Sequence, residues 1–321
     1  MPKTTPAKDP GVAPVSGATR DGQPLSLSRA PPADLAPWIS RLFVTIVDTP
    51  ADHIIDCGIL NDTAFVRFLV RGDWATRTAD GDLRFGRAAL FFGPQSRRLP
   101  VTVRGPFAMA GFGLRPGTCH ALGGPRVPDW LDRLAPLDSM GPGGAALAGA
   151  IDPDGSPEDW LTAMETALRK IVAASGGALP DPVSARFDRA AFADPGIAVG
   201  EFARAEGIDP GRVGRIVRRD FGLPPKQVLM RARALDMASH LRGVADNAEA
   251  EELALRYYDQ SHLIREFVHF LGQTPTQFVQ EPQPILTLGL EARQARRLEE
   301  LGRLVPGAVR PWERDLSRTE S

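Results

Sequence analysis

The C-terminal third of this 321-residue chain repeats itself, and no other feature restricts its fold as strongly. Arg215 precedes Gly222 by seven residues, and Arg265 precedes Gly272 by the same interval. The two copies therefore lie 50 residues apart. Further residues match at this separation, namely Asp209 with Asp259, Pro225 with Pro275, Gln227 with Gln277 and Val228 with Phe278. A repeat of this kind indicates two copies of one structural unit.

Each copy is predicted to be a pair of short helices joined by a turn. In the first copy the turn is 206–208, and Asp209 begins the second helix, where its carboxylate can accept unpaired backbone N–H groups. Apolar residues at helical spacing form the buried side of the second helices: Val213, Ile216, Val217 and Phe221 in one copy, and Leu263, Phe267 and Phe270 in the other. This arrangement is typical of the helix-turn-helix.

A longer helix is predicted between the two copies, from Pro225 to Arg242. It would be about 27 Å long and would set the spacing of the two units. The segment 212–233, which overlaps it, holds seven basic residues and one acid, Asp220, although the net charge of the whole chain is only −1. Such a basic segment favours contact with DNA phosphates.

Two stretches of the second copy are distinctive, Tyr258–Phe267 and Gly272–Phe278. With the repeat, they make residues 199–279 closely resemble the C-terminal DNA-binding domain of the AraC family of bacterial transcription regulators. The resemblance implies two helix-turn-helix units joined by a linker helix, and sequence-specific binding to double-stranded operator DNA. It also implies contact with RNA polymerase if the regulator is an activator. The second turn, 256–258, departs from the pattern, because it is one residue shorter and lacks the usual glycine.

Before the repeat, short apolar runs alternate with turn residues and predict an antiparallel β-domain. The runs are 42–47, 64–70, 88–92, 99–103 and 108–114. Three stretches of this region are similar to the sensory domain of one group of AraC-type regulators, namely 92–96, 112–117 and 136–138. The predicted fold class is therefore α+β, with a β-rich, cupin-like or barrel-shaped sensory domain followed by an all-α domain of two helix-turn-helix units.

Composition sets the predicted boundaries between these parts. The first residues are rich in Pro, Gly, Ser, Ala and Thr, and glycines and prolines recur at 175–182. The predicted division is a disordered segment at 1–30, a β-rich sensory or dimerisation domain ending in helices at 31–178, a DNA-binding domain at 183–282 and a helical tail at 283–321.

The residues that read DNA are expected at the exposed N-terminal part of each second helix. The predicted base-contacting residues are Arg212, Arg215, Gln260, Ser261, His262 and Arg265, and the predicted phosphate-contacting residues are Arg218, Arg219 and Arg231. Three alternatives stay open. Arg218 and Arg219 could form only a solvated face, His262 could cap or pack within its helix, and Arg215 and Arg265 could be internal salt-bridge partners.

Motifs of catalysis and of metal binding are missing from the sequence. It contains neither a phosphate-binding loop nor a nucleophile elbow. His53 with Cys57, and Cys119 with His120, have no spacing that demands zinc. We therefore expect no enzyme activity, no metal and no cofactor. The alternative is an enzyme with an active site in the β-rich domain, tethered to a DNA-binding module.

Composition also bears on partners and location. Near-zero net charge argues against coating nucleic acid along the whole surface. With two cysteines, no secretory signal and no run of 18 apolar residues, the sequence predicts a cytoplasmic protein without a membrane partner. Control is expected through the β-rich domain, by a small-molecule effector of unknown identity or by formation of a homodimer.

Overall fold

A computed structural model describes residues 9, 13–14, 26–245 and 260–312. Within these residues, nine strands precede the helical region. They are β1 (Ala13–Pro14), β2 (Leu27–Arg29), β3 (Ile39–Asp48), β4 (Ile54–Ile59), β5 (Phe65–Thr78), β6 (Gly81–Phe85), β7 (Ala88–Phe92), β8 (Leu99–Leu114) and β9 (Leu134–Pro136).

These strands form one antiparallel sheet, as predicted for this part of the chain. Its main path is β1-β3-β8-β5-β7-β9, and β2, β4 and β6 pair with β3, β8 and β5. The predicted runs 99–103 and 108–114 are two parts of the single long strand β8, and β4 had no counterpart among the predicted runs. Because β8 pairs with β3, β4 and β5, it holds the sheet together.

The alternation of side chains along β5 divides the hydrophobic core between the two faces of the sheet. Phe65 and Leu69 belong to one cluster, whereas Val66 and Phe68 belong to another. The pairing of β5 with β8 shifts register near Gly72, whose φ of 112° favours glycine. A Cβ at this position would lie 2.8 Å from Phe107 Cβ, so the bulge also permits close packing.

The described residues also contain ten α-helices, of which α1 precedes β9 and the others follow it. Three accompany the sheet, α1 (Thr118–Ala121), α2 (Gly141–Ala148) and α3 (Pro157–Ala174). The others are α4 (Pro182–Ala193), α5 (Val199–Ala205), α6 (Pro210–Phe221), α7 (Pro225–Leu241), α8 (Gln260–Leu271), α9 (Pro275–Gln280) and α10 (Pro284–Glu300). The predicted order of a β-rich domain followed by a helical domain is confirmed. The turn at 256–258 lies outside the described residues.

Helices cover both faces of the sheet. On one face α3 buries Trp160, Leu161 and Met164, after starting at a capping box between Ser156 and Asp159. On the other face the apolar cluster continues without a break into the helical domain. Because the second face is shared, the sheet and the helical domain are packed against each other through one core.

The N-terminal segment contains more structure than its composition indicates. Leu27–Arg29 pairs with β3, and Ala13–Pro14 pairs with the end of the same strand. Arg29 forms ion pairs with Glu158 at 3.0 Å and with Glu165 at 2.7 Å. The disorder predicted for 1–30 is therefore wrong for these residues, because a strand edge and two carboxylates hold them in place.

The C-terminal helix α10 lies between the sheet and the helical domain. Thr287 and Gln294 are almost completely buried, and so are the neighbouring apolar side chains Ile285 and Leu288. Ion pairs extend from α10 to both sides, with Arg41–Glu299 at 2.5 Å and Arg115–Glu300 at 2.6 Å toward the β-rich domain, and Arg296–Asp188 toward α4. The predicted helical tail is thus an internal element that joins the two domains.

Arg293 occupies the centre of α10. Its Nη1 lies 2.6 Å from Asp236 Oδ1 in α7, and its Nε lies 3.1 Å from Asp62 Oδ2 between β4 and β5. Both the guanidinium and the Asp236 carboxylate are buried. Among the residues described, no helix has the length and apolar character needed to cross a membrane.

Replacing Arg293 with alanine tests this junction. The variant leaves the carboxylate of Asp236 buried without its nearest cation, so we expect the free energy of unfolding to fall by about 3–5 kcal/mol. Chemical denaturation of the full chain measures this loss. The matched control is Arg77→Ala, since Arg77 and Asp82 form an ion pair of the same length, 2.6 Å, that is largely exposed. Water screens that pair, and equal losses in both variants would contradict the assignment.

Candidate nucleic-acid interface

The first helix-turn-helix unit consists of α5, the turn and α6. Gly207 lies in the turn with a φ of 64°, a backbone conformation that glycine adopts without strain. Asp209 caps α6, because its Oδ2 accepts a hydrogen bond from Arg212 N at 2.9 Å. Gly222 ends α6 with a φ of 74°. The predicted cap and the predicted start of this helix are confirmed.

The apolar side of α6 fixes which side chains it exposes. Val213, Ile216, Val217 and Phe221 are buried, as their spacing predicts. Phe221 packs against Phe187 of α4, with ring centroids 5.7 Å apart. Rotation of α6 about its axis is thereby set, and its polar side is directed away from this core.

Three arginines lie on that polar side. Arg212, Arg215 and Arg218 are exposed, and none of them forms an ion pair with a residue that the structure describes. The internal salt bridge considered for Arg215 is therefore not formed within the described part of the chain. Gly211 precedes Arg212 and Gly214 lies between Arg212 and Arg215, so no other long side chain competes for this surface.

Arg219 lies at the edge of the same helix and is engaged within the protein. Its Nε and Nη2 donate to the two carboxylate oxygens of Asp220 at 2.6 and 2.7 Å, and Asp181 lies 3.7 Å away. The hydrogen bond to Asp220 raises the pKa of the Arg219 guanidinium. Asp220 is itself buried and accepts a hydrogen bond from Ser184 Oγ at 2.5 Å. Arg219 therefore helps to tie α6 to α4.

Arg231 is placed differently from the prediction. Its side chain is fully buried, and it donates to Gln95 O at 2.7 Å and to Asp62 O at 2.5 Å. Burial lowers the pKa of this guanidinium to about 10. Arg231 lies between α7 and the β-rich domain, so it is not on the surface where a phosphate contact was predicted. The sequence predicts burial of α7 along one apolar stripe only. In the structure the sheet also packs against the side of α7 that carries Arg231, and this side is therefore buried as well.

The second unit exposes its own polar set. Ser261, His262 and Arg265 are exposed on α8, and Gln260 is the first residue of this helix. Leu263, Phe267 and Phe270 are buried, as predicted. Arg265 forms no ion pair with any described residue. The corresponding positions of α6 and α8 are thus exposed in both copies of the repeat.

Arg233 positions the second unit, a role that the sequence does not reveal. Arg233 of α7 donates to both carboxylate oxygens of Glu266 in α8, at 2.8 and 2.6 Å. Its Nη1 also donates to Pro195 O at 2.6 Å. In the sequence, Arg233 is only one of the seven basic residues of 212–233, and no local pattern links it to Glu266. This bidentate pair fixes α8 against the linker helix.

The β-rich domain contacts α6 near the C-terminal end of the helix. A Cβ at Gly222 would lie 3.1 Å from Pro94 and 3.5 Å from both Leu131 and Val127. Gly117, next to α1, lies close to Asp220. The domain contact therefore lies at the end of α6 opposite to Arg212.

No cluster of three or more His, Cys, Asp or Glu side chains suited to a metal ion occurs among the described residues. His53 pairs with Asp9 at 2.9 Å. Cys57 and Cys119 are both buried, and burial raises the pKa of the Cys119 thiol to about 12.

Comparisons with known proteins give structural neighbours of low similarity. A solved structure of ToxT from Vibrio cholerae has a TM-score of 0.43 and 6% identity, covering 74% of this chain and 97% of that one. A second ToxT structure, an apo variant from strain SCE256, has a TM-score of 0.43 and 9% identity over 74% and 96% of the chains. The AraC-like transcriptional activator CuxR has a TM-score of 0.30 and 17% identity over 70% and 84%. No family profile and no curated protein matches the chain.

Alanine substitutions at the two glycines that end α6 and α8 test the contact between α6 and the β-rich domain. Gly222 and Gly272 have φ values of 74° and 71°, so alanine at either position introduces a left-handed residue at a cost of about 1–2 kcal/mol. At Gly222 the new methyl group also presses on Pro94, whereas at Gly272 nothing lies within 4 Å. We therefore expect Gly222→Ala to lower the free energy of unfolding more than Gly272→Ala does.

Chemical denaturation of both variants beside the unaltered chain measures the difference. Gly272→Ala is the matched control, because it carries the backbone cost without the contact. A larger loss in Gly272→Ala than in Gly222→Ala would show that the β-rich domain does not press on α6 in solution.

Proposed function

We propose that this chain is a sequence-specific transcription regulator that binds double-stranded DNA, and more particularly a regulator of AraC type. One observation carries the proposal: two equivalent helices, α6 and α8, bury an apolar stripe and expose polar side chains on the other side. The exposed sets lie at the N-terminal half of each helix, which is the part that a helix-turn-helix inserts into the major groove.

The exposed side chains have the chemistry that base reading requires. Arg212 and Arg215 of α6 can each donate two hydrogen bonds to the O6 and N7 atoms of guanine. Ser261 and His262 of α8 can donate and accept, and Arg265 adds a second guanidinium. Gln260, at the start of α8, belongs to the same proposed set. We assign base contacts to these six residues.

The charge of the basic segment is distributed unequally between surface and interior. Arg212, Arg215, Arg218 and Lys226 are exposed, whereas Arg231 is buried and Arg219 and Arg233 pair with carboxylates. Arg218 is thus the best-placed residue for phosphate contact, and Lys226 joins it. Arg219 can reach a phosphate only by sharing its guanidinium with Asp220. Because Arg231 is buried, we no longer assign a phosphate contact to it.

Control is proposed to come from the β-rich domain, through a small-molecule effector or through pairing of two chains. The physical basis is the contact at Gly222, together with the ion pairs that join α10 to the sheet. A change in the sheet can therefore reach α6 and α7 directly. A regulator of this type would act in the bacterial cytoplasm, as a monomer or homodimer, and would engage RNA polymerase if it activates transcription.

The base contacts are tested with Arg215→Ala and Arg265→Ala. DNA duplexes selected from a random library with the full chain supply the operator sequence. Each substitution should weaken operator binding by about 1–3 kcal/mol, because a guanidinium that reads a base edge is lost. Preference should relax at different base pairs in the two variants, about 34 Å apart on the duplex if the units occupy successive major grooves.

The control for these variants is Arg84→Ala, which removes the same charge from an exposed position of β6. Its affinity and base preference should equal those of the unaltered chain. Unchanged affinity in both test variants, or a library from which no sequence is enriched, would refute the proposed function.

Phosphate contact is tested by salt dependence. Arg218→Ala should reduce the slope of log affinity against log salt concentration by about 1, because one fewer counterion is released on binding. Arg231→Met should leave the slope unchanged, because that guanidinium is bonded to backbone carbonyls inside the protein. Fluorescence anisotropy across a salt series measures both slopes. A normal slope in Arg218→Ala would remove Arg218 from the phosphate-contacting set.

A further inference from the structure

A cavity of about 90 Å³ lies between the sheet and α10. Its walls are formed by side chains of β3, β5 and β8 on one side and of α10 on the other. Four arginines and one acid line it, namely Arg41, Arg67, Arg293, Arg296 and Asp62. A space lined by more positive than negative side chains favours an anion.

Arg67 differs from the other arginines of the cavity. Arg41, Arg293 and Arg296 each pair with a carboxylate. Arg67 forms no ion pair or hydrogen bond with any described residue, and its Nε is buried without a partner. Burial lowers the pKa of this guanidinium to about 10, and no carboxylate acts against that shift.

The position of Arg67 in β5 makes this unpaired charge unusual. It lies on the same strand face as Phe65 and Leu69, which are both buried in the shared core. The rings of Phe65 and Phe92 lie 5.2 and 5.6 Å from its guanidinium carbon. These aromatic faces stabilise a cation only in part. An apolar side chain of similar length would fit this layer at lower cost, because it needs no solvation.

Thr45 supplies a second polar group without a partner. Its side chain on β3 is fully buried, lines the same cavity, and its Oγ1 makes no hydrogen bond within the described residues. Phe43, Met109 and Leu288 provide apolar walls. The cavity thus combines a cationic fork, a hydroxyl and apolar surface, which match the two ends of a short organic acid.

We propose that this cavity binds a small monocarboxylate, with its carboxylate on Arg67 and Thr45 and its carbon chain against the apolar walls. A dry cavity of about 150 Å³ accommodates the six non-hydrogen atoms of benzene, so the occupant of this smaller space has at most about four carbons besides its two carboxylate oxygens. The assignment of the site depends only on the cavity and on the unpartnered polar atoms of Arg67 and Thr45. Its role as the effector site of the regulator rests on the proposed function.

The location of the site connects it to the domain junction. Arg293 and Arg296 line the cavity and also pair with Asp236 and Asp188 in the helical domain. Asp62 lines the cavity, pairs with Arg293 and accepts a hydrogen bond at its backbone carbonyl from Arg231. A bound carboxylate therefore touches the same side chains that hold α7 and α10 against the sheet.

Titration calorimetry and thermal unfolding of the full chain test the proposal, with propionate, butyrate and valerate as probes and butyramide as the neutral counterpart of butyrate. Butyrate should bind and raise the Tm, whereas butyramide should not, because only the acid carries the charge that Arg67 complements. Arg67→Met should weaken butyrate binding about 10- to 100-fold, since the charge-assisted hydrogen bonds are lost. Thr45→Val should weaken it less.

Controls separate binding from folding. Arg97→Met makes the same exchange at an exposed position of the β-rich domain and should bind butyrate normally. The Tm of unliganded Arg67→Met should equal or exceed that of the unaltered chain, because an unpaired buried cation is removed. If Arg67→Met does not fold, Arg67→Lys keeps the charge but loses the planar fork, and should still weaken butyrate binding.

Several results would overturn the proposal. They are equal binding of butyrate and butyramide, absence of binding by all three acids, and normal butyrate affinity in Arg67→Met. Binding of inorganic phosphate that depends on Arg67, without binding of any of the acids, would also reject a carboxylate ligand. These measurements contain no DNA, so their failure leaves operator binding unaffected. Failure of the DNA selection would leave the carboxylate site intact but remove its role as an effector site.

Discussion

The contact of Arg293 with Asp236 and Asp62 holds the two domains in register. It joins α10, α7 and the turn between β4 and β5, with Arg293 and Asp236 buried and Asp62 partly buried. Both α6 and α8 pack on α7, and α8 is further fixed to it by Arg233. Because each buried charge must keep its partner, only one placement of α7 on the sheet is stable. The positions of α6 and α8 follow from that placement.

Local periodicity was sufficient to predict the two helices that we propose to read DNA. The spacing of Val213, Val217 and Phe221 defines the buried side of α6 without knowledge of any other element. The side chains left on the opposite side are then determined, and Arg215 is exposed as expected. The strands were predicted on the same ground, although β8 appeared as two runs because the segment around Gly105 and Pro106 resembles a turn.

Hydrophobic periodicity and local charge could not predict hydrogen bonds and ion pairs between residues far apart in the chain. Arg231 and Arg219 belong to a segment whose charge predicts a DNA surface, yet one lies under the sheet and the other is bonded to Asp220. The sequence predicts α10 only as part of a helical tail at 283–321. Its charges are matched by residues far along the chain, as in the pair of Arg41 with Glu299. A helix whose charges pair with distant residues looks, in sequence, like a surface helix.

Two buried guanidinium groups show how structural and binding roles can be separated on physical grounds. Burial lowers the pKa of both Arg231 and Arg67 to about 10. Arg231 donates to two backbone carbonyls, so its desolvation is offset and its role is to join α7 to the sheet. Arg67 has no such partner among the described residues and faces a cavity. Its solvation must come from whatever occupies that cavity, and an anion offsets the cost of burial more fully than water does.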